Sequence, residues 1–343
     1  MGQFEKSNAC FPSAGVHPAL TQPQKCQFSE LQRALLGVDL PRRVPGDPLD
    51  VILDDHYRQL VGYVIEEQVY PTGKVDRVPT GTVFFMSVRD VYRVFVYAVT
   101  CKHLIRPSEP GTAWPLYVRI NHKDGKGFSD IPCPLDSWTL SETSDVAVCE
   151  LRLNAECDYW AYDIRFADFP WPISVGVEVF MVGLFVCHPG DKRVEALIRT
   201  GSIARESTRV PVRVDIAKQE DLEIDAFLIE SRSWGGESGS PVFTYRHKQE
   251  LHSQELGRLI QGAASGYAAH ADIGTKVNTQ LVGMLHGHFP VDLEGTPQNS
   301  GVAIVIPACE LASVINDPKL VHARNEAIAE HKAQLKSRPG SSQ

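Results

Sequence analysis

Trp234-Gly235-Gly236-Glu237-Ser238-Gly239-Ser240-Pro241-Val242-Phe243 sets a serine among small residues, two glycines ahead of it and one behind, before an apolar pair. Glycine lets the backbone turn sharply and lets main-chain N–H groups converge on one point. A nucleophilic serine needs that geometry, with its hydroxyl exposed and donors aimed at a developing oxyanion. A Gly/Ser turn leading into a strand looks the same. The residues on either side separate the two readings.

Outward from this stretch, short runs rich in Val, Ile, Phe and Tyr alternate with turn signals. The first half carries them at 60–70, 81–88, 92–100, 114–121 and 145–153, and the second at 177–186, 195–206, 212–217, 226–231, 241–245, 281–287 and 301–308. Pro71-Thr72-Gly73, Pro79-Thr80-Gly81 and Asp124-Gly125-Lys126-Gly127 punctuate the first set. This is the pattern of successive antiparallel strands. A less regular piece, 159–172, holds Pro170 and Pro172 and reads as a link between two halves. The tail from 308 to 336 is helical in composition, interrupted at Asp317-Pro318. The fold class is therefore all-β: two packed barrels or sandwiches followed by helix. Residues 1–50 form an irregular, proline-rich arm with one short candidate helix at 28–37. A polar segment, 246–276, is longer than an ordinary hairpin loop and has helical spacing in its middle.

A serine nucleophile needs a base, and the base needs an orienting acid. His103 stands where the run ending Thr100-Cys101-Lys102 leaves its strand, and Asp145 opens the apolar run Val146-Ala147-Val148. Taken singly, His103 reads as a surface histidine and Asp145 as a turn residue. Together with Gly236-Glu237-Ser238-Gly239-Ser240-Pro241-Val242, these blocks resemble those of the chymotrypsin-like (trypsin-like) serine peptidases, in the order His, Asp, Ser. The flanking runs at 79–85, 281–284 and 301–307 are similar to strands of that family, the last to its bacterial high-temperature-requirement-like branch. The resemblance covers about residues 60–315.

That resemblance implies two antiparallel six-stranded β-barrels with a C-terminal helix. The implied organisation is an arm at 1–50, a first barrel at 51–165 with His103 and Asp145, a second at 166–310 with Ser238, and a helix and tail at 311–343. It implies a serine endopeptidase: Ser238 attacks, His103 carries the proton, Asp145 orients His103, and the N–H groups of Gly236 and Ser238 form the oxyanion hole. Leu285, His286, Gly287 and His288 are the implied substrate-binding residues. A catalytically silent peptide-binding or scaffolding protein on the same fold is the alternative. No Ile-Val-Gly-Gly activation site is present, Glu237 stands where trypsins have Asp, and Leu104 replaces the cysteine after the catalytic histidine. The sequence offers no partner for Glu237.

Composition narrows the partners. The 343 residues are 43% hydrophobic and 22% charged, with a net charge of -8, which disfavours a general nucleic-acid binder. No apolar run is long enough for a membrane span, and the start of the chain makes a poor secretory signal. The eight cysteines form no CxxC pair. A cytoplasmic protein with reduced thiols is expected, exported disulfides being the other option. His286-Gly287-His288 lacks a second ligand pair, so neither metal nor cofactor is expected. The expected partner is a protein or peptide substrate. Control by a partner protein, by the arm or by the 246–276 segment is also expected, because an unregulated cytoplasmic protease would be harmful.

Overall fold

The computed structural model describes residues 56–337 except 71, 106–115, 168–172, 186–187, 216–219, 232–235, 247–277 and 294–295. The 1–50 arm with its candidate helix, Trp234, Gly235 and nearly all of the 246–276 segment lie outside these residues.

The first half is built on three long neighbours, β1 (Val61–Val69), β2 (Val75–Arg89) and β3 (Val94–Thr100). They are extended by β4 (Leu116–Asn121), β5 (Phe128–Pro132), β6 (Trp138–Leu140) and β7 (Ala147–Leu151). The sheet order is β5-β4-β1-β2-β3-β7-β6, and the two-residue β8 (Tyr162–Asp163) pairs parallel with β2. This gives eight strands where six are implied, and the short β6 and β8 account for the excess. The edge strands β5 and β6 do not pair with each other among the described residues.

The second half closes as the six-stranded barrel implied by the resemblance. Its order is β9 (Glu178–Gly183), β10 (Leu197–Asp215), β11 (Glu220–Glu230), β14 (Thr296–Pro307), β13 (Asn278–Leu293) and β12 (Pro241–Arg246), with β12 returning to β9. All its pairs are antiparallel.

Strand side chains point alternately to opposite faces, so an unbroken apolar run must bury both. Val83-Phe84-Phe85-Met86 is such a run. Val83 and Phe85 enter a core inside the first sheet with Val118, Ile120 and Trp138, whereas Phe84 and Met86 face the other way into a second core. The barrel does the same: Val179 and Met181 fill its interior, while Phe180 and Val182 join Phe84 and Met86. The two halves thus share an apolar core, stitched at its edge by the Tyr162 hydroxyl, which accepts from Leu281 N at 3.3 Å.

The tail forms two helices, α1 (Ala308–Ile315) and α2 (Pro318–Ser337). The break falls at Asn316-Asp317, where Asp317 accepts from Lys319 N at 2.8 Å and Pro318 opens the new helix at a position that needs no N–H. Leu311, Ala312 and Ile315 bury α1 in the shared core. The buried Arg324 of α2 donates to the Tyr97 hydroxyl at 3.0 Å and to Ile315 O at 2.8 Å, tying the tail to β3. Among the described residues no helix is long and apolar enough to cross a membrane.

Candidate active site

Strand β3 ends at Thr100, and the chain turns at once into a 3-10 turn, Lys102–Leu104, which carries His103. Lys102 is buried and its Nζ donates to Ser141 O at 3.0 Å, so the turn is anchored on the loop that precedes Asp145. Asp145 is fully buried. Its Oδ1 accepts the His103 backbone N–H at 3.0 Å, and its Oδ2 accepts from the His103 ring Nδ1 at 2.7 Å. One carboxylate therefore fixes both the backbone and the ring of His103, in the Nδ1–H tautomer that leaves Nε2 free to take a proton.

The same Oδ2 has a second imidazole partner. His286, on β13 of the second barrel, contacts it through Nδ1 at 2.6 Å, and the two rings meet edge-to-face with centroids 5.1 Å apart. Burial opposes the charge on Asp145, but the charge and hydrogen bonds of His103, joined by those of His286, outweigh it and hold the carboxyl well below the usual carboxylate range.

Cys101 completes the cluster. Its thiol donates to Leu285 O at 3.3 Å. Burial, with the Asp145 charge next in effect, pushes the thiol's pKa far up, so it stays protonated and is no rival nucleophile. The potential donor atoms of Cys101, His103, Asp145 and His286 all lie within 4.8 Å of one another. Both imidazoles lie at hydrogen-bond distance from Asp145 Oδ2. The group therefore reads as a hydrogen-bonded cluster.

Ser238 lies on the turn before β12. Its carbonyl accepts Thr82 N at 2.9 Å, which pins the turn to β2 of the first sheet. Gly239 N donates to Leu285 O at 2.8 Å, and Leu285 N donates to Ser240 O at 2.8 Å. Gly236 and Gly239 have φ of 92° and 89°, in the left-handed region that side chains avoid. A Cβ on Gly239 would also lie 1.9 Å from Thr82 O and 2.6 Å from Thr100 Oγ1. Gly239→Ala should therefore cost at least about 2 kcal/mol, read as a lowered denaturant midpoint; an unchanged midpoint would contradict this geometry.

Neither the Gly236 nor the Ser238 N–H donates among the described backbone hydrogen bonds, which suits the oxyanion role implied for them. A Cβ on Gly287 would lie 4.0 Å from Ser238 Oγ, so that glycine keeps the space beside the hydroxyl open. Among the described contacts no hydrogen bond joins Ser238 Oγ to His103. Catalytic hydrogen bonds are often long before substrate is bound.

The residues implied for substrate binding separate. Leu285 is buried with its N–H and carbonyl both used on the serine turn, so it braces that turn and has no backbone group to offer substrate. His286 turns to Asp145, Gly287 flanks Ser238, and His288 is exposed. An open depression of about 450 Å³ is lined by Ile198, Arg199, Thr200 and Ser231.

A scan of protein-family models finds no match, and neither does a search of curated protein sequences. Solved structures do match. The MamO protease domain from Magnetospirillum magneticum, in its apo form, is 14% identical over 77% of this chain and 100% of that one, with a TM-score of 0.44. The Rv3671c protease from M. tuberculosis, in its active form, is 16% identical over 76% of this chain and 80% of that one, with a TM-score of 0.38. At these values the likeness carries no chemistry across; the fold rests on the strand topology of the chain itself.

Arg199 has no sequence signal at all. It comes from β10, 38 positions before Glu237, and its Nε donates to Glu237 Oε1 in a short contact. The side chains are only 19% and 4% exposed. The acid beside Ser238 therefore has an internal cation, and this explains a glutamate for which the sequence offers no partner.

Proposed function

We propose that this protein is a serine endopeptidase, acting on protein or peptide chains through Ser238, His103 and Asp145. The observation that carries the reading is the fully buried Asp145 carboxylate holding the backbone and ring of His103. A buried carboxylate bound in this way supports an imidazolium as it forms. Ser238 Oγ would add to the scissile carbonyl carbon while its proton passes to His103 Nε2. The tetrahedral oxyanion would be met by the N–H groups of Gly236 and Ser238. Collapse breaks the C–N bond, the leaving amine takes the proton from His103, and water then hydrolyses the acyl-enzyme by the same route. The chemistry requires no cofactor.

A fluorophosphonate probe should label the wild type and fail to label Ser238→Ala. Absence of labelling on well-folded wild type would remove the reading. A second reading, a peptide-binding protein on the same framework, draws on the absence of a His103–Ser238 hydrogen bond among the described contacts. It predicts peptide binding with neither labelling nor cleavage.

A further inference from the structure

One buried carboxylate oxygen serves two imidazoles, one from each half of the molecule. We infer that His286 is a proton-linked positioning residue: neutral, it clamps Asp145 through Nδ1–H, and protonated, it silences His103 by claiming the same carboxylate charge. This rests on the serine-peptidase reading of the site.

Among the described residues, the neighbouring elements bring these ionisable groups. The 3-10 turn brings Cys101, Lys102 and His103, the loop before β7 brings Asp145, the serine turn brings Glu237, and β13 itself brings the exposed His288. Cys101 donates to Leu285 O, Lys102 to Ser141 O, and Glu237 faces Arg199. Asp145 is thus the anion that both imidazoles contact, and His103 is the cation His286 would oppose. Their rings are close and only 15% and 12% exposed, so water screens the repulsion poorly.

The reaction needs His103 to become cationic while Asp145 balances it. A proton already on His286 spends that balance before Ser238 is attacked. Two cations would then share one carboxylate oxygen, and the competent form has both rings neutral. Interacting sites of this kind release their protons in two linked steps that belong to the pair. Activity should therefore fall first in proportion to the proton concentration and then, once both rings are protonated, with its square.

The test compares the wild type with His286→Gln, which keeps an N–H donor for Asp145 and cannot take the proton. In a pH series of kcat/KM, the wild type should reach a limiting acid slope of two, about a hundredfold per pH unit, and His286→Gln a slope of one, about tenfold. A residue that merely packs would lower kcat and leave the slope alone. A slope of two surviving in His286→Gln, or an acid limb that His286→Gln leaves unmoved, overturns the inference. The second measurement needs no turnover: nitrogen-15 histidine spectra of Ser238→Ala, with and without His286→Gln. The His103 resonance should show two linked steps when His286 is present and one when it is absent. Independent titration of the rings in Ser238→Ala overturns the inference even if the wild type is active. Linked titration in a protein that fails to hydrolyse any peptide would preserve the coupling and remove the peptidase reading instead.

Discussion

Asp145→Asn is expected to lower kcat by about 10⁴ while leaving the secondary structure intact. Asp145 offers only acceptors to its two imidazoles. An asparagine that keeps its oxygen on the His103 backbone N–H presents its NH₂ group to both rings. A ring that must accept at Nδ1 carries its proton on Nε2, where it cannot take one from Ser238. The loss is thus one of tautomer, and it should appear in kcat on any cleaved peptide, with circular dichroism unchanged. A loss below tenfold would remove Asp145 from the mechanism. The variant should also differ in acid. Because the folded carboxyl lies below its unfolded value of about 3.9, Asp145 contributes stability that is present above that pH. The contribution is lost as pH falls through the folded value. Asp145→Asn should lack this acid-sensitive component, which denaturant midpoints followed from about pH 5 down to about pH 2 would reveal.

Arg199→Met should be strongly destabilising, by about 3–5 kcal/mol, because it removes the cation paired with the buried Glu237 carboxylate. The Glu237 side chain is 4% exposed and directly precedes Ser238, so the damage reaches the nucleophile's turn. Activity should fall together with stability. The double variant Arg199→Met, Glu237→Met should recover most of the stability, since apolar replacement of a whole buried pair is often neutral. Equal destabilisation in the single and double variants would mean that the pair contributes packing rather than charge balance. Thermal or denaturant unfolding of the three proteins settles the comparison.

Much of the fold could be read from the sequence because the strands bury both faces. Runs such as Val83-Phe84-Phe85-Met86 stand out without alternation, and turn pairs such as Thr72-Gly73 separate them. The ends of β10 and β14 were less readable, since polar residues such as Arg209, Arg213 and Asn299 continue the ladder past the apolar runs. The meeting of His103 with Asp145 was readable because both sit at strand ends of one half. What escaped was contact between distant segments. His286 reads as part of a substrate wall, and only the approach of β13 to the loop before β7 turns it to Asp145. Arg199 is one arginine among many until the barrel closes and brings β10 against the serine turn. Leu285 marks a similar limit: its apolar side chain was evident, while the use of its backbone on Gly239 and Ser240 was not.

The shared core has a thermodynamic corollary. Phe84, Met86 and Val99 of the first sheet pack in one cluster with Phe180, Phe243 and Ile304 of the barrel, and residues 52–343 form one compact unit. Neither half can melt without exposing the inner wall of the other. Folding of the two should therefore be one cooperative event, with a single calorimetric transition. Cutting the chain between the halves would leave two fragments that each expose half of that core and need the other to become soluble.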